Sequence, residues 1–573
     1  MKTVKCALKT RLASVSVLVL VSLLAPVSSM AQIDNPQGNK RSQVSLDPNI
    51  PNVVNPNETE FQRQNHFLSF VGSYIPESFA SAKAYYKAID PTNQKADFKA
   101  WLVNAGFISD PSQWHPYGPQ DIRTGQPAGV YGDNIINTDS HVIVLNAADL
   151  GFVRNQFIRC KPSCSALNPT IYTYLENYPV APFAASGSGF PFTIGYPTQD
   201  ESKKAMNKAI NRPLGDINGN NFCIGAANCL ERIADVAFEW APPAGATPGS
   251  STRFGQLYSY IFSHDQHLIT SSNPQGIVET IAFPDFLVNS PITGVAKIQD
   301  FRAGGFNTVT IQTGDPFAPN LDGVGFKQHP GVCLVCHGGA PTNLTSSGAY
   351  PRGGNINGFR FLPLDIRNLL FTSDLDTTDP LSRIRQEAQI KEYNKDVLLT
   401  VPKYAQDDGT GAVRVPHLRE VIQGWYEGFP GDKTMSASTQ NPDFLPKGWR
   451  DVNHGGTLPQ GVSELYNEVV GPSCRSCHFN RELSLDFGTY ANFHQESDLQ
   501  QLALIAACKQ NNPDPGAKFM PLALLTFQRF FDTQTGTRTL GDGASSLLLN
   551  QEVDRLARDF NFSSVQGYCN THP

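Results

Sequence analysis

Two pentads constrain this chain more than anything else in it: Cys333-Leu334-Val335-Cys336-His337 and Cys474-Arg475-Ser476-Cys477-His478. Cys-x-x-Cys-His is the attachment pattern of c-type haem. Two thiols separated by two residues can form thioethers to the two vinyl groups of one porphyrin edge. The His that follows then lies beneath the iron and ligates it from the proximal side. The chain has 11 Cys and 12 His in 573 residues, so chance would supply on the order of 0.005 such pentads. Two occurrences therefore need a cause. Zinc ribbons place their Cys pairs much closer together and need no His directly after each pair. A thioredoxin-like redox pair needs a βαβ context that neither pentad has. The pattern implies two covalent haems, held through Cys333, Cys336, Cys474 and Cys477, with His337 and His478 as iron ligands.

The N-terminus fits that chemistry. Lys2, Lys5, Lys9 and Arg11 form a basic stretch, an apolar run follows from about Ala13 to Ala25, and Ser29-Met30-Ala31 makes a small-x-small cleavage pattern. Residues 1–31 thus read as a secretory signal peptide cleaved near Ala31, and the mature protein is expected in the periplasm or secreted. No later stretch approaches 18 uninterrupted apolar residues, so the mature chain is not expected to be an integral membrane protein. Losing the four basic residues moves the net charge from −6 to −10. That acidic balance, with no Lys/Arg cluster, argues against nucleic acid as a partner.

Apart from Cys6 and the four pentad cysteines, six remain: Cys160, Cys164, Cys223, Cys229, Cys508 and Cys569. An even number in an oxidising compartment suggests disulfides. Proximity favours Cys160–Cys164, Cys223–Cys229 and Cys508–Cys569, out of roughly 15 pairings that six cysteines allow.

Residues 32–58 are polar and rich in Pro and Asn, a flexible leader. Helical spacing then appears over Phe79, Ala82, Tyr86 and Ile89, and again over Phe98, Trp101 and Leu102. Beyond residue 109 come short β-prone runs: 142–145, 171–174, 236–240, 257–262 and 308–311. Residues 59–320 read as one mixed or β-rich domain without a legible function. Asp216–Asn221 opens like an EF-hand loop, but its Gly is misplaced and position twelve lacks Glu. His264-Asp265-Gln266-His267 lacks the frame of a zinc peptidase and reads as a surface loop.

The remainder reads as two haem segments, 321–460 and 461–573. In the first, 381–401 suggests an amphipathic helix carrying Ile384, Ala388, Tyr393 and Val397. Pro416 opens another helix with Leu418, Val421, Ile422 and Trp425 on its apolar face. His329 reads as a turn residue. In the second segment, Leu465, Val469 and Val470 suggest a short helix ended by Gly471-Pro472. Met520-Pro521, downstream of His478, is a candidate sixth ligand to the second iron, since thioether sulfur suits haem iron and raises its potential. For the first iron the sixth position is open between His417, His454, Met435 and no protein ligand.

With both pentads and Met520-Pro521, the region from about 321 to 573 resembles bacterial di-haem cytochromes c. The spacing of its motifs is similar to that of the di-haem cytochrome c peroxidase and MauG group, with rubber oxygenases a more distant comparison. The resemblance implies two small helical haem domains packed face to face, one haem passing electrons and the other meeting peroxide or oxygen. His337 and His478 match the proximal ligands of that group, and Met520 is the candidate match to a distal Met. The peroxidases' distal acid–base residues are not placed on this sequence. The expected fold class is thus multidomain α+β: a mixed or β-rich N-terminal domain followed by mainly α-helical tandem cytochrome c-like domains. The primary functional reading is single-electron transfer, with periplasmic redox proteins as donor or acceptor. The alternative is a peroxidase or oxygenase with one open-site haem fed by a Met-ligated neighbour. A weaker third reading makes the N-terminal domain a hydrolase or dehydrogenase whose electrons leave through the haems.

Overall fold

Four of the five β-prone runs of the first half pair into one antiparallel sheet. In the computed structural model of this chain, the residues described are 79–92, 94–95, 98–109, 130–131, 134–135, 137–147, 151–166, 168–178, 199–211, 234–243, 254–263, 266–269, 281–282, 294–300, 305–311, 329–339, 342–403, 415–427, 435–478 and 487–495. A small hairpin of β1 (Val130–Tyr131) and β2 (Asn134–Ile135) precedes the sheet. Its strands are β3 (Ser140–Asn146), β4 (Val153–Lys161), β5 (Thr170–Tyr178), β6 (Ala234–Ala241), β7 (Gln256–Ser263), β9 (Ile281–Ala282) and β12 (Leu369–Leu370). Between them in sequence lie β8 (Gln266–Ile269), β10 (Gly294–Asp300) and β11 (Gly305–Ile311), which form a separate three-stranded sheet. His267 therefore lies on a strand, opposite Lys297, and not in the expected loop. The stretches expected to be signal peptide (1–31) and leader (32–58), Met520 and the cysteines 223, 229, 508 and 569 lie outside the described residues.

The order across the large sheet is β12-β3-β4-β5-β6-β7-β9, each pair antiparallel. Alternation along β3 separates two cores, as a pleated strand requires. Val142 and Val144 face the main core, while Ile143 and Leu145 join Ala205, Met206 and Ala209 of helix α3 (Gln199–Asn211). On the main-core side lie α1 (Phe79–Ile89) and α2 (Phe98–Ala105), the helices expected from their spacing. Their Tyr86, Phe98 and Trp101 rings pack among Tyr174, Tyr260 and Phe262.

The expected fold class is corrected here. Elements from the second half are built onto this sheet and do not follow it as mainly helical tandem domains. β12 pairs with β3 (Leu369 opposite Asn146, Leu370 opposite Leu145) and covers only the end of that strand. Helix α5 (Arg383–Thr400) serves the rest of the edge. The Gln386 amide accepts from the Ile143 N–H at 2.7 Å and donates to the Ile143 carbonyl at 2.9 Å. Ser140 Oγ donates to the Gln389 carbonyl, and the His141 N–H reaches Gln389 Oε1. An exposed strand edge is costly and prone to pairing with other chains, so these side chains complete its hydrogen bonding. They also explain why α5 departs from the expected apolar stripe. Its buried face mixes Ile390, Tyr393 and Val397 with Gln386, Glu387, Asn394 and Asp396, while Ile384 is exposed.

The main core is continuous across both halves. Cys333, Leu334, Phe359, Phe361 and Ile390 share it with Val144, Phe157, Tyr174 and Tyr260. Helix α6 (His417–Trp425) contributes Leu418, Val421, Ile422 and Trp425, as its periodicity predicts. No helix among the described residues is long and apolar enough to cross a membrane.

Candidate functional site

The first pentad lies on helix α4 (Gly331–His337), which begins after Pro330 and stops at Gly338. Gly338 and Gly339 both take positive φ, 80° and 83°. A Cβ on Gly339 would sit 2.9 Å from the Asn357 carbonyl, so glycine is what lets the chain turn away here. The turn brings His337 against Arg360 at two points. The Arg360 N–H donates to the His337 carbonyl at 3.0 Å, and His337 Nδ1 donates to the Arg360 carbonyl at 2.9 Å. Committing Nδ1 to a carbonyl fixes the tautomer and leaves Nε2 as the nitrogen able to take a metal. Burial pushes the His337 pKa down to about 4, so the ring is neutral at pH 7. Phe238 of β6 lies 4.5 Å from the imidazole centroid and Phe359 stands edge-on at 5.9 Å. A strand of the first half thus supports the ring of the first pentad.

The second pentad is approached through α7 (Val462–Leu465) and a π-helical segment, Tyr466–Cys474, that runs directly into α8 (Arg475–His478). Gly471-Pro472 was expected to end the helix, but the chain winds through it. The wider π-turn lets Pro472, which has no N–H to give, sit inside. His478 stacks flat on Phe487 (4.0 Å, 6°), and Phe487 is held in turn by Phe493 and by the Trp449 indole donating to its carbonyl. Burial, with the neighbouring Cys477, pushes the Cys474 thiol up to about 12. Zinc requires thiolate ligands, whereas a thioether leaves no charge on sulfur, so this environment suits haem attachment better.

The two pentads are neighbours. α4 and α8 pack against each other, and His337 of one and Ser476 of the other line a single cleft. Arg154, Gln156, Tyr393 and Asp365 contribute polar groups to it. All four pentad cysteines carry thiols and not disulfides. A c-type haem fits the first pentad, with two thiols three positions apart on one helix and then an imidazole whose Nδ1 is already committed; at the second, Cys474 and Cys477 flank the passage from the π-helical segment into α8, which ends at His478.

None of the three sixth-ligand candidates lines this cleft. Met435 is buried in the main core and its carbonyl accepts from Lys391. His417 is buried at the start of α6. His454 is largely exposed, with Nδ1 2.8 Å from Asp451. His329 lies in the turn before α4, as expected, and its side chain is buried in the core. Its ring stacks on Tyr86, meets Tyr85 edge-on and places Nε2 2.8 Å from Ser259 Oγ.

Arg475, inside the second pentad, belongs to no motif in the sequence beyond the pentad itself. It is fully buried, pairs with Asp365 at 2.7 Å and lies over the rings of Trp425 and Tyr466. Its only signal in the sequence is a charged residue between the two cysteines of the pentad. Disulfide Cys160–Cys164 is present, as proximity suggested. No protein-family model, no curated protein and no solved structure matches this chain.

Proposed function

We propose that this protein is an exported di-haem c-type cytochrome that passes single electrons between periplasmic redox partners. The observation that carries the reading is the pair of Cys-x-x-Cys-His pentads on helices packed side by side. Cys333, Cys336 and His337 would hold one haem, and Cys474, Cys477 and His478 the other. Each bound haem would supply a one-electron Fe(III)/Fe(II) couple. The chain's own contribution is positional: the Arg360 carbonyl orients one imidazole, the Phe487 ring orients the other, and Phe238 shields the first from water. Adjacent attachment helices favour direct transfer between the two groups.

The test is mass analysis and haem staining of the denatured protein after co-expression with the haem-attachment machinery. Two haems per chain are expected. Loss of one is expected in a Cys333→Ala/Cys336→Ala variant and of the other in Cys474→Ala/Cys477→Ala. A wild-type chain without added mass overturns the proposal.

A second reading is favoured by the polar lining of the cleft. Arg154, Gln156 and Tyr393 beside His337 are groups suited to peroxide or oxygen chemistry at an open first iron. A high-spin ferric signal that disappears with cyanide would select this reading. Strictly low-spin spectra at both haems, unchanged by peroxide, would select the relay.

A further inference from the structure

Far in sequence from the pentads, three segments bring four ligand-type side chains together around the disulfide. Asp139 precedes β3, Cys160 is the last residue but one of β4, Cys164 lies in the turn after it, and Asp396 comes from α5. One ligand atom from each lies within 4.8 Å of the other three. Asp396 is 1 % exposed. Its Oδ1 is 3.0 Å from Cys164 Sγ, and its Oδ2 has no hydrogen-bond partner. Asp139 Oδ2 accepts from the Cys160 N–H at 2.6 Å and lies 3.2 Å from the same sulfur. A bridged sulfur has no proton to donate, so in the oxidised protein both carboxylates face sulfur without a donor from it. Lys395, the cation near Asp396, is committed to Glu392 at 2.7 Å, and Arg159 lies near Asp139. A buried carboxylate oxygen without a partner is costly. Burial, reinforced by Asp139 and Glu392, accordingly pushes the Asp396 pKa up to about 8.

We propose that reduction of Cys160–Cys164 converts this cluster into a four-coordinate site for a borderline-soft divalent cation, with zinc(II) as its chemical match. Two thiolates and two carboxylates are a tetrahedral S2O2 donor set. At zinc–ligand lengths of about 2.0–2.3 Å the donors would stand roughly 3.3–3.8 Å apart; Asp396 Oδ1 and Asp139 Oδ2 already lie 3.0 and 3.2 Å from Cys164 Sγ, and the two sulfurs, bonded in the bridge, part on reduction. The disulfide and the metal are then alternative states of one site. A dithiol reductant opens the bridge by exchange: its own thiols close into a disulfide, and each protein sulfur ends with a proton. Binding the cation releases both thiol protons and the proton on Asp396. The metal would join β4 to α5, the helix that covers the edge of the sheet. Exposed Asp139 offers the entry side.

Full-length protein, oxidised or reduced with a dithiol, is dialysed against zinc, and bound metal is counted by elemental analysis for wild type, Cys160→Ser/Cys164→Ser and Asp396→Asn. Reduced wild type should retain one more zinc per chain than the double-serine variant and than its own oxidised form. Asp396→Asn should bind that zinc at least about tenfold more weakly, since even partners outside the ligand shell are worth that much. Asn has the shape of the protonated acid, so this variant should fold as wild type does, which its thermal transition in the oxidised state checks. Equal zinc in reduced wild type and the double-serine variant overturns the site. Equal zinc in oxidised and reduced wild type overturns the switch, and unchanged affinity in Asp396→Asn overturns Asp396 as a ligand.

Discussion

Arg475, inside the second pentad, closes on Asp365, whose side chain lines the cleft that holds His337: Nη2 and Nε lie 2.7 and 2.8 Å from the same carboxylate oxygen. Both groups are buried, so the pair ties the two candidate haem sites together through a contact that water does not screen. Removing one partner strands a buried charge. Arg475→Ala or Asp365→Asn should each lower unfolding stability by about 3–5 kcal/mol, whereas Arg475→Met with Asp365→Leu should cost less than either single change. Denaturant midpoints of the four proteins test this, and additive losses would refute it.

His329 makes acid stability measurable at one residue. Burial holds its pKa at about 3, against 6.5 in an exposed ring. Between those values the unfolded chain binds a proton that the folded chain refuses. The contribution is therefore complete above pH 6.5 and is lost as pH falls, with a slope near ~1.4 kcal/mol per pH unit at most. His329→Gln should show a shallower loss of stability from pH 6 to 4 than wild type. Parallel curves would mean that His329 titrates normally in the folded protein.

Phe238 lies on β6, in the half of the chain without a pentad, yet its ring rests against His337. Phe238→Ala should cost about 3–5 kcal/mol through the cavity it opens. In the proposed di-haem form it should also perturb the absorption or EPR signature of the haem at the first pentad while leaving that at the second unchanged. A stability loss with both haem signatures intact would make Phe238 a core residue only.

Met520 is a prediction from sequence alone. If its thioether completes the coordination of the second iron, Met520→Ala should lower that haem's reduction potential and alter its low-spin spectrum. An unchanged potential removes Met520 from the coordination sphere.

Local patterns carried much of the fold. The β-prone runs are strands β3, β5, β6, β7 and β11, and the helical spacings at 79–89, 98–105 and 417–425 are helices, because side-chain periodicity depends on neighbours within a few residues. The Cys160–Cys164 bridge was legible for the same reason: four residues of separation leave little loop entropy to lose. The helix through Gly471-Pro472 misled, since a π-turn absorbs a proline that an α-turn would expel.

By itself the sequence determined the two Cys-x-x-Cys-His pentads on which the proposed haem attachment rests, because each is written into five consecutive residues. It could not determine what surrounds those residues. That β12 borders β3 across more than two hundred positions, that Phe238 supports His337, and that Asp365 neutralises Arg475 are outcomes of which apolar faces and buried charges find each other when the chain collapses. Such choices are made by long-range burial, and no local spacing records them.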